Sequence, residues 1–117
     1  MSYNISRKTT GDCDAVTIRV KDALKAEGFG VLTEIDVAGT LKAKIGKDFR
    51  PYRILGACNP NLAYQALSEE PHIGVMLPCN VIVQRYDNGE VEVEVSSIDP
   101  ATAMQSVGNP KLATVAS

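Results

Sequence analysis

The sequence predicts an α+β fold, a two-layer sandwich in which helices cover one face of a mainly antiparallel sheet of four to five strands. Three observations carry this. Short segments with two-residue apolar alternation recur along the chain, two apolar stripes at helical spacing stand between capping residues, and two Val-rich runs flank Asp87-Asn88-Gly89, a hairpin signal. The order is β-α-β-β-α-β-β, with a short helix between the second and third strands. At 117 residues the chain suits one core, and no repeat or linker divides it, so residues 1–117 are expected to form a single domain.

The elements follow in order. Tyr3 to Thr9 alternates with Tyr3 and Ile5 on one face, a first strand. Asp12 is placed to cap a helix whose stripe is Val16, Val20, Ala23 and Leu24 and which stops at Gly28. Phe29 to Ile35 forms a second strand with Phe29, Val31 and Ile35 on one face. Asp36 caps a short helix running to Ile45 and ended by Gly46. A third strand spans Tyr52 to Cys58. Asn59 then caps a second main helix with Pro60 at its first position, where the missing N–H costs nothing. Leu62, Ala63, Ala66 and Leu67 supply its buried face, and Pro71 ends it.

The register of the final hairpin can be argued from hydrophobic matching. A two-residue Asn88-Gly89 turn pairs Tyr86 with Val91 and Val83 with Glu94, setting valines against glutamates. A three-residue loop with Gly89 left-handed is expected to pair Arg85 with Val91, Val83 with Val93 and Val81 with Val95, which places one apolar face in the core. Cys79 then points inward. Asn80, Ile82, Gln84 and Tyr86 point outward beside Glu90, Glu92 and Glu94. That outward face, with Ile82 and Tyr86 on it, is the expected seat of a second copy of the chain.

Composition excludes several classes. The chain is 44% hydrophobic and 22% charged, with no Trp and 5% aromatic residues, a balance unlike disordered, collagen-like or disulfide-scaffold sequences. No apolar run reaches membrane-spanning length and Met1 to Thr10 has no signal-peptide core, so a cytoplasmic protein without membrane attachment is expected. Residues 1–60 carry ten Lys/Arg against seven Asp/Glu, whereas residues 61–117 carry two against seven. The basic excess is Lys42, Lys44, Lys47, Arg50 and Arg53, opposed within that stretch by Asp48. Such a cluster suits a small anionic ligand; no nucleic acid is expected, since the pI is about 5.3 and no nucleic-acid motif accompanies the charges.

Several separated words resemble a known family when taken together and in order. They are Gly28-Phe29-Gly30-Val31-Leu32-Thr33-Glu34-Ile35-Asp36, Leu41-Lys42-Ala43-Lys44, Asp48-Phe49-Arg50-Pro51-Tyr52, Leu55-Gly56-Ala57-Cys58-Asn59-Pro60 and Leu77-Pro78-Cys79-Asn80-Val81. Over about residues 12 to 100 the chain resembles the bacterial and archaeal domain of unknown function 302. The resemblance implies a small two-layer α/β fold and a dimer, and it implies no reaction. Family members continue beyond an Asn-Pro-x-Leu-Ala word into a closing helix, whereas here Asn109-Pro110-Lys111-Leu112-Ala113 is followed by four residues. A lost or frayed closing helix, or a chain cut at that point, would account for the difference.

Chemistry-bearing residues are few. The three cysteines are spaced by 45 and 21 residues, which matches neither a zinc ribbon nor a Cys-x-x-Cys redox pair. Cys13 lies in a helix first turn between two aspartates and is expected to be inert, and Cys79 is expected to be a small core residue. Cys58 precedes the Asn59 cap, where unpaired N–H groups favour an anion or a thiolate, and Lys42, Lys44 or Arg53 folding back would strengthen that. Cys58-Asn59 and Cys79-Asn80 would meet if the third and fourth strands were neighbours, giving a soft-metal or dithiol site. His72 offers thin support for a Cys–His mechanism. Glu34 and Asp36 share a strand face as a carboxylate pair, Asp36 being explained as a cap. The expectation is a homodimeric module binding a small ligand or metal, with Cys58, Asn59, Cys79, Asn80 and Glu34 as candidate ligand-binding residues. The alternative is a thiol-dependent enzyme or redox protein using Cys58 with Cys79. No catalytic residue, cofactor or metal identity follows from the sequence.

Overall fold

In the computed structural model, residues 4–87 and 91–99 are described; Tyr3, the Asn88-Gly89-Glu90 connection and the Asn109-to-Ala113 word lie outside them. The elements are β1 (Asn4–Thr10), α1 (Cys13–Ala26), β2 (Gly30–Asp36), α2 (Val37–Ile45), β3 (Tyr52–Cys58), α3 (Pro60–Glu69), a short 3-10 turn at Ile73–Met76, β4 (Cys79–Asp87) and β5 (Val91–Ile98). The five strands form one sheet in the order β1-β5-β4-β3-β2, antiparallel at every pairing. This is the predicted α+β sandwich. No helix among the described residues is long and apolar enough to cross a membrane.

The caps form where the sequence places them. Asp12 accepts from the Ala15 N–H at 3.4 Å, Asp36 from the Gly39 N–H at 3.0 Å, and Asn59 from the Asn61 and Leu62 N–H groups at 3.1 and 3.2 Å. Gly46 closes α2 at φ +68°, a left-handed conformation that favours glycine. The core lies between α1 and one sheet face: Cys13 and Val16 meet Leu55, Val81, Val83 and Val93, with Val20, Leu24, Val31 and Val95 packed around them. Ala23, expected in the α1 stripe, is exposed. Gly56 is required by close approach, since a Cβ there would meet the Pro78 ring at 2.7 Å and the Thr33 hydroxyl closer still.

Three expectations need correction. The hairpin pairs Arg85 with Val93, Val83 with Val95 and Val81 with Ser97, two residues away from the expected register. The closing pair is Asp87 with Val91, which leaves three residues between the strands. Alternation has period two, so an even shift buries the same face and hydrophobic matching cannot tell the two registers apart. In β2 a bulge falls between Val31 and Thr33. Val31 faces the core opposite Ala57, while Ile35, opposite Ile54, is turned to the other sheet face and is 47% exposed. In α3, Ala66 is the buried residue and Ala63 is half-buried; Leu62 and Leu67 are exposed.

Candidate functional site

The sheet face away from α1 carries two rows that the register sets side by side. Ile35, Ile54, Ile82, Ser96 and Ser6 cross all five strands, and Tyr52, Gln84, Glu94 and Lys8 cross β3, β4, β5 and β1. Gln84, expected to point to solvent, is only 5% exposed, and Ser96 on the same face is 6% exposed. Hydrogen bonds explain how polar groups tolerate that burial. Arg50 Nε donates to Gln84 Oε1 at 2.9 Å. Glu94 Oε1 accepts from Gln84 Nε2, the Tyr86 hydroxyl and Ser96 Oγ at 3.3–3.4 Å. Ser96 and Ser6 hydroxyls lie 2.7 Å apart. Burial and the adjacent Glu94 carboxylate push the Tyr86 phenol above its ordinary value, so it stays a protonated donor.

Arg50 is fixed at the end of this network. Its guanidinium carbon stands 4.5 Å from the Phe49 ring centre, 5.2 Å from that of Tyr86 and 5.6 Å from that of Tyr52. These are three of the six aromatic residues in the chain. Beside it opens a cleft of about 530 Å³ lined by Asp48, Phe49, Arg50, Pro51 and Arg85. The Arg85 N–H donates to the Pro51 carbonyl at 3.0 Å, tying the loop before β3 to β4 and bringing the two arginines to one cleft. Among the described residues, no carboxylate lies within ion-pair distance of Arg50 or Arg85.

Two other members of the basic cluster, Lys42 and Arg53, are engaged elsewhere. Lys42 pairs with Asp48 at 2.9 Å. Arg53 bridges Glu34 at 2.8 Å and Asp14 at 3.0 Å, and Lys21 pairs with the other Glu34 oxygen. The hydrogen bond from Lys21 holds the Glu34 carboxyl below the usual carboxylate range, against partial burial, with Arg53 adding to the effect. Glu34 and Asp36 share a face as expected, on which Glu34 ties three elements together and Asp36 caps α2.

The strands bearing the cysteine words are neighbours: Cys79 pairs with Ala57, next to Cys58, and Asn80 pairs with Gly56. All three cysteines are free. Successive strand residues face opposite sides, so the pleat turns Cys58 and Cys79 to different faces even though they sit on adjoining rungs. Burial and then the neighbouring Cys58 raise the Cys79 thiol, and burial and then Asp14 raise that of Cys13, whose Sγ–H reaches the Val83 carbonyl at 3.8 Å. His72 is exposed and lies 3.5 Å from Glu70. Among the described residues, no group of three or more His, Cys, Asp and Glu is gathered to hold a metal ion. Arg50 entered the sequence reading as one charge of a cluster and Arg85 as a member of the hairpin. The signal that could have singled out Arg50 was its place between Phe49 and Tyr52 in a chain poor in aromatics.

No curated protein matches the chain. Among solved structures it is similar to an uncharacterized conserved DUF302 protein from Bacillus stearothermophilus, at 28% identity and a TM-score of 0.89, covering 99% of this chain and 88% of that one. The model of the domain of unknown function DUF302 matches residues 5–117. With nearly the whole chain matched, the protein belongs to the DUF302 family.

Proposed function

We propose that this chain is a cytoplasmic homodimeric module that binds a small anion in the cleft between Arg50 and Arg85. The observation that carries the reading is a cleft lined by two arginines, Arg50 and Arg85, neither with a carboxylate partner among the described residues. Arginine stays charged at any accessible pH and presents several donors in a fixed plane, which suits carboxylate and phosphate oxygens. Arg50 is held by three rings and by Gln84, so little ordering is needed on binding. The absence of a gathered donor set among the described residues favours the organic anion over a metal. Dimerisation is supported by the isoleucine row on the sheet face away from α1, in which Ile35 is 47% exposed, and the cytoplasm by three free thiols.

The test is an NMR titration with inorganic phosphate. Shifts should concentrate at residues 48–51 and 85, and affinity should weaken at least tenfold in Arg50→Ala, as expected when a charge-assisted contact worth roughly 1.5–3 kcal/mol is lost. Arg85→Gln should weaken binding in the same way without touching the ring cluster. A wild-type protein that shows no shifts at millimolar phosphate would overturn the reading.

A second reading has one observation behind it. Cys58, Asn59, Cys79 and Asn80 lie on neighbouring strand ends, which supports thiol chemistry by Cys58 with Cys79. The raised Cys79 thiol favours the protonated, less nucleophilic form, and this places the reading second.

A further inference from the structure

The cleft offers more than cationic groups. Phe49 lines it and is 41% exposed, in a chain with 5% aromatic residues. Arg50 covers one face of the ring at 4.5 Å, and Tyr52 meets it at 6.0 Å between centroids, inclined by 55°. The ring is therefore held at a fixed tilt while part of its surface faces the cleft. Pro51 adds a second flat apolar wall, and Asp48, with its side chain 90% exposed, brings an acceptor to the rim. The volume of about 530 Å³ falls in the roughly 300–1,000 Å³ range typical of sites for small organic ligands. It is far more than a bare inorganic anion requires.

We propose, building on the anion-binding reading above, that the cleft takes a nucleoside monophosphate. The phosphate sits between Arg50 and Arg85, the base stacks on Phe49, and a ribose hydroxyl donates to Asp48. Each part of the ligand answers one part of the lining. Two guanidinium groups match a dianion better than a monocarboxylate. A base stacks on an aromatic side chain whatever its sequence context. A carboxylate at the rim welcomes a hydroxyl donor and repels a second acid group. The free nucleotide is favoured over a polymer because Lys42 and Arg53 are already paired and the second half of the chain is acidic, which leaves fewer basic groups for a phosphate backbone.

Calorimetric titration with inorganic phosphate, ribose 5-phosphate, adenosine monophosphate and hexauridylate tests this. Adenosine monophosphate should bind at least tenfold more tightly than ribose 5-phosphate, the gain expected from one stacked base. Phe49→Ala should bring the two to equal affinity, and Phe49→Tyr should restore the difference. Equal affinities in the wild-type protein would overturn the nucleotide assignment and leave the anion site standing. Failure of every phosphate to bind would remove both. Hexauridylate binding ahead of the mononucleotide would also overturn the assignment, because the phosphates would then belong to a nucleic acid. If Phe49→Ala does not fold, the wild-type comparison decides the matter by itself.

Discussion

Cys13 and Cys79 are held as thiols by burial, assisted at Cys13 by the Asp14 carboxylate and at Cys79 by Cys58. Their raised values reduce the thiolate fraction near neutral pH, and the thiolate is the reacting species. Iodoacetamide at about pH 7.5 is therefore expected to modify Cys58 first. Peptide mass mapping over time reads the order; Cys79 or Cys13 labelled first would contradict it. Inorganic phosphate should leave the order and rates unchanged, because the proposed anion site is the arginine cleft. If phosphate protects Cys58, the anion sits instead at the start of α3. Legibility at this scale follows sequence distance. Asp12, Asp36 and Asn59 could be read as caps because each acts on N–H groups within three residues. Arg50 could not be read in the same way, since its amide partner Gln84 lies 34 positions away.

Each helix and strand follows its own pattern until a neighbour overrides it. In β2 the alternation of Phe29, Val31 and Ile35 looks continuous, but the bulge between Val31 and Thr33 inserts one unpaired residue and sends Ile35 to the face away from α1. Only pairing with β3 defines that insertion, so the strand's own sequence cannot reveal it. The α3 stripe fails for a related reason: small Ala66 is what packs inward, while Leu62 and Leu67 remain at the surface. The same bulge leaves Glu34 facing Leu55 beside Arg53, where α1, β2 and β3 are joined through Lys21, Glu34, Arg53 and Asp14. The folded state lowers the Glu34 carboxyl value, so its contribution is present above the unfolded value and lost as pH falls through the folded one. Glu34→Gln should lower the urea midpoint at pH 7, and the gap to wild type should begin to narrow near the unfolded carboxylate value, about pH 4, and close as pH falls through the lower folded value. Molar salt should narrow it too, because the groups are partly exposed. A gap that stays constant down to pH 3 would mean that Glu34 acts through packing alone.

The molecule as a whole has one sheet face packed by α1 and another that carries Ile35, Ile54 and Ile82 in register across β2, β3 and β4. On the face away from α1 polar groups are stable where they are hydrogen-bonded, and the Gln84–Glu94–Ser96 side meets that condition. The isoleucine row does not, and a second copy related by a two-fold axis would cover it with the same row. Light scattering on the eluting protein should then give twice the 12.5 kDa chain mass. Ile82→Lys places an ammonium group in the middle of the row, where desolvating a charge without a partner costs several kcal/mol, and the mass should fall to that of one chain. Ile18→Lys is the control. Ile18 is also an exposed isoleucine, at 60%, but it lies on α1, the helix covering the opposite sheet face. A dimer that survives Ile82→Lys but dissociates in Ile18→Lys would move the interface to the helical layer. A wild-type protein that elutes as a single chain at tens of micromolar would show that water tolerates the isoleucine row. Because Arg50 is anchored through Gln84, which lies in the row adjoining Ile82, dissociation of the dimer should also weaken phosphate binding if the second copy helps keep that network dry, and this coupling can be read in the same Ile82→Lys protein.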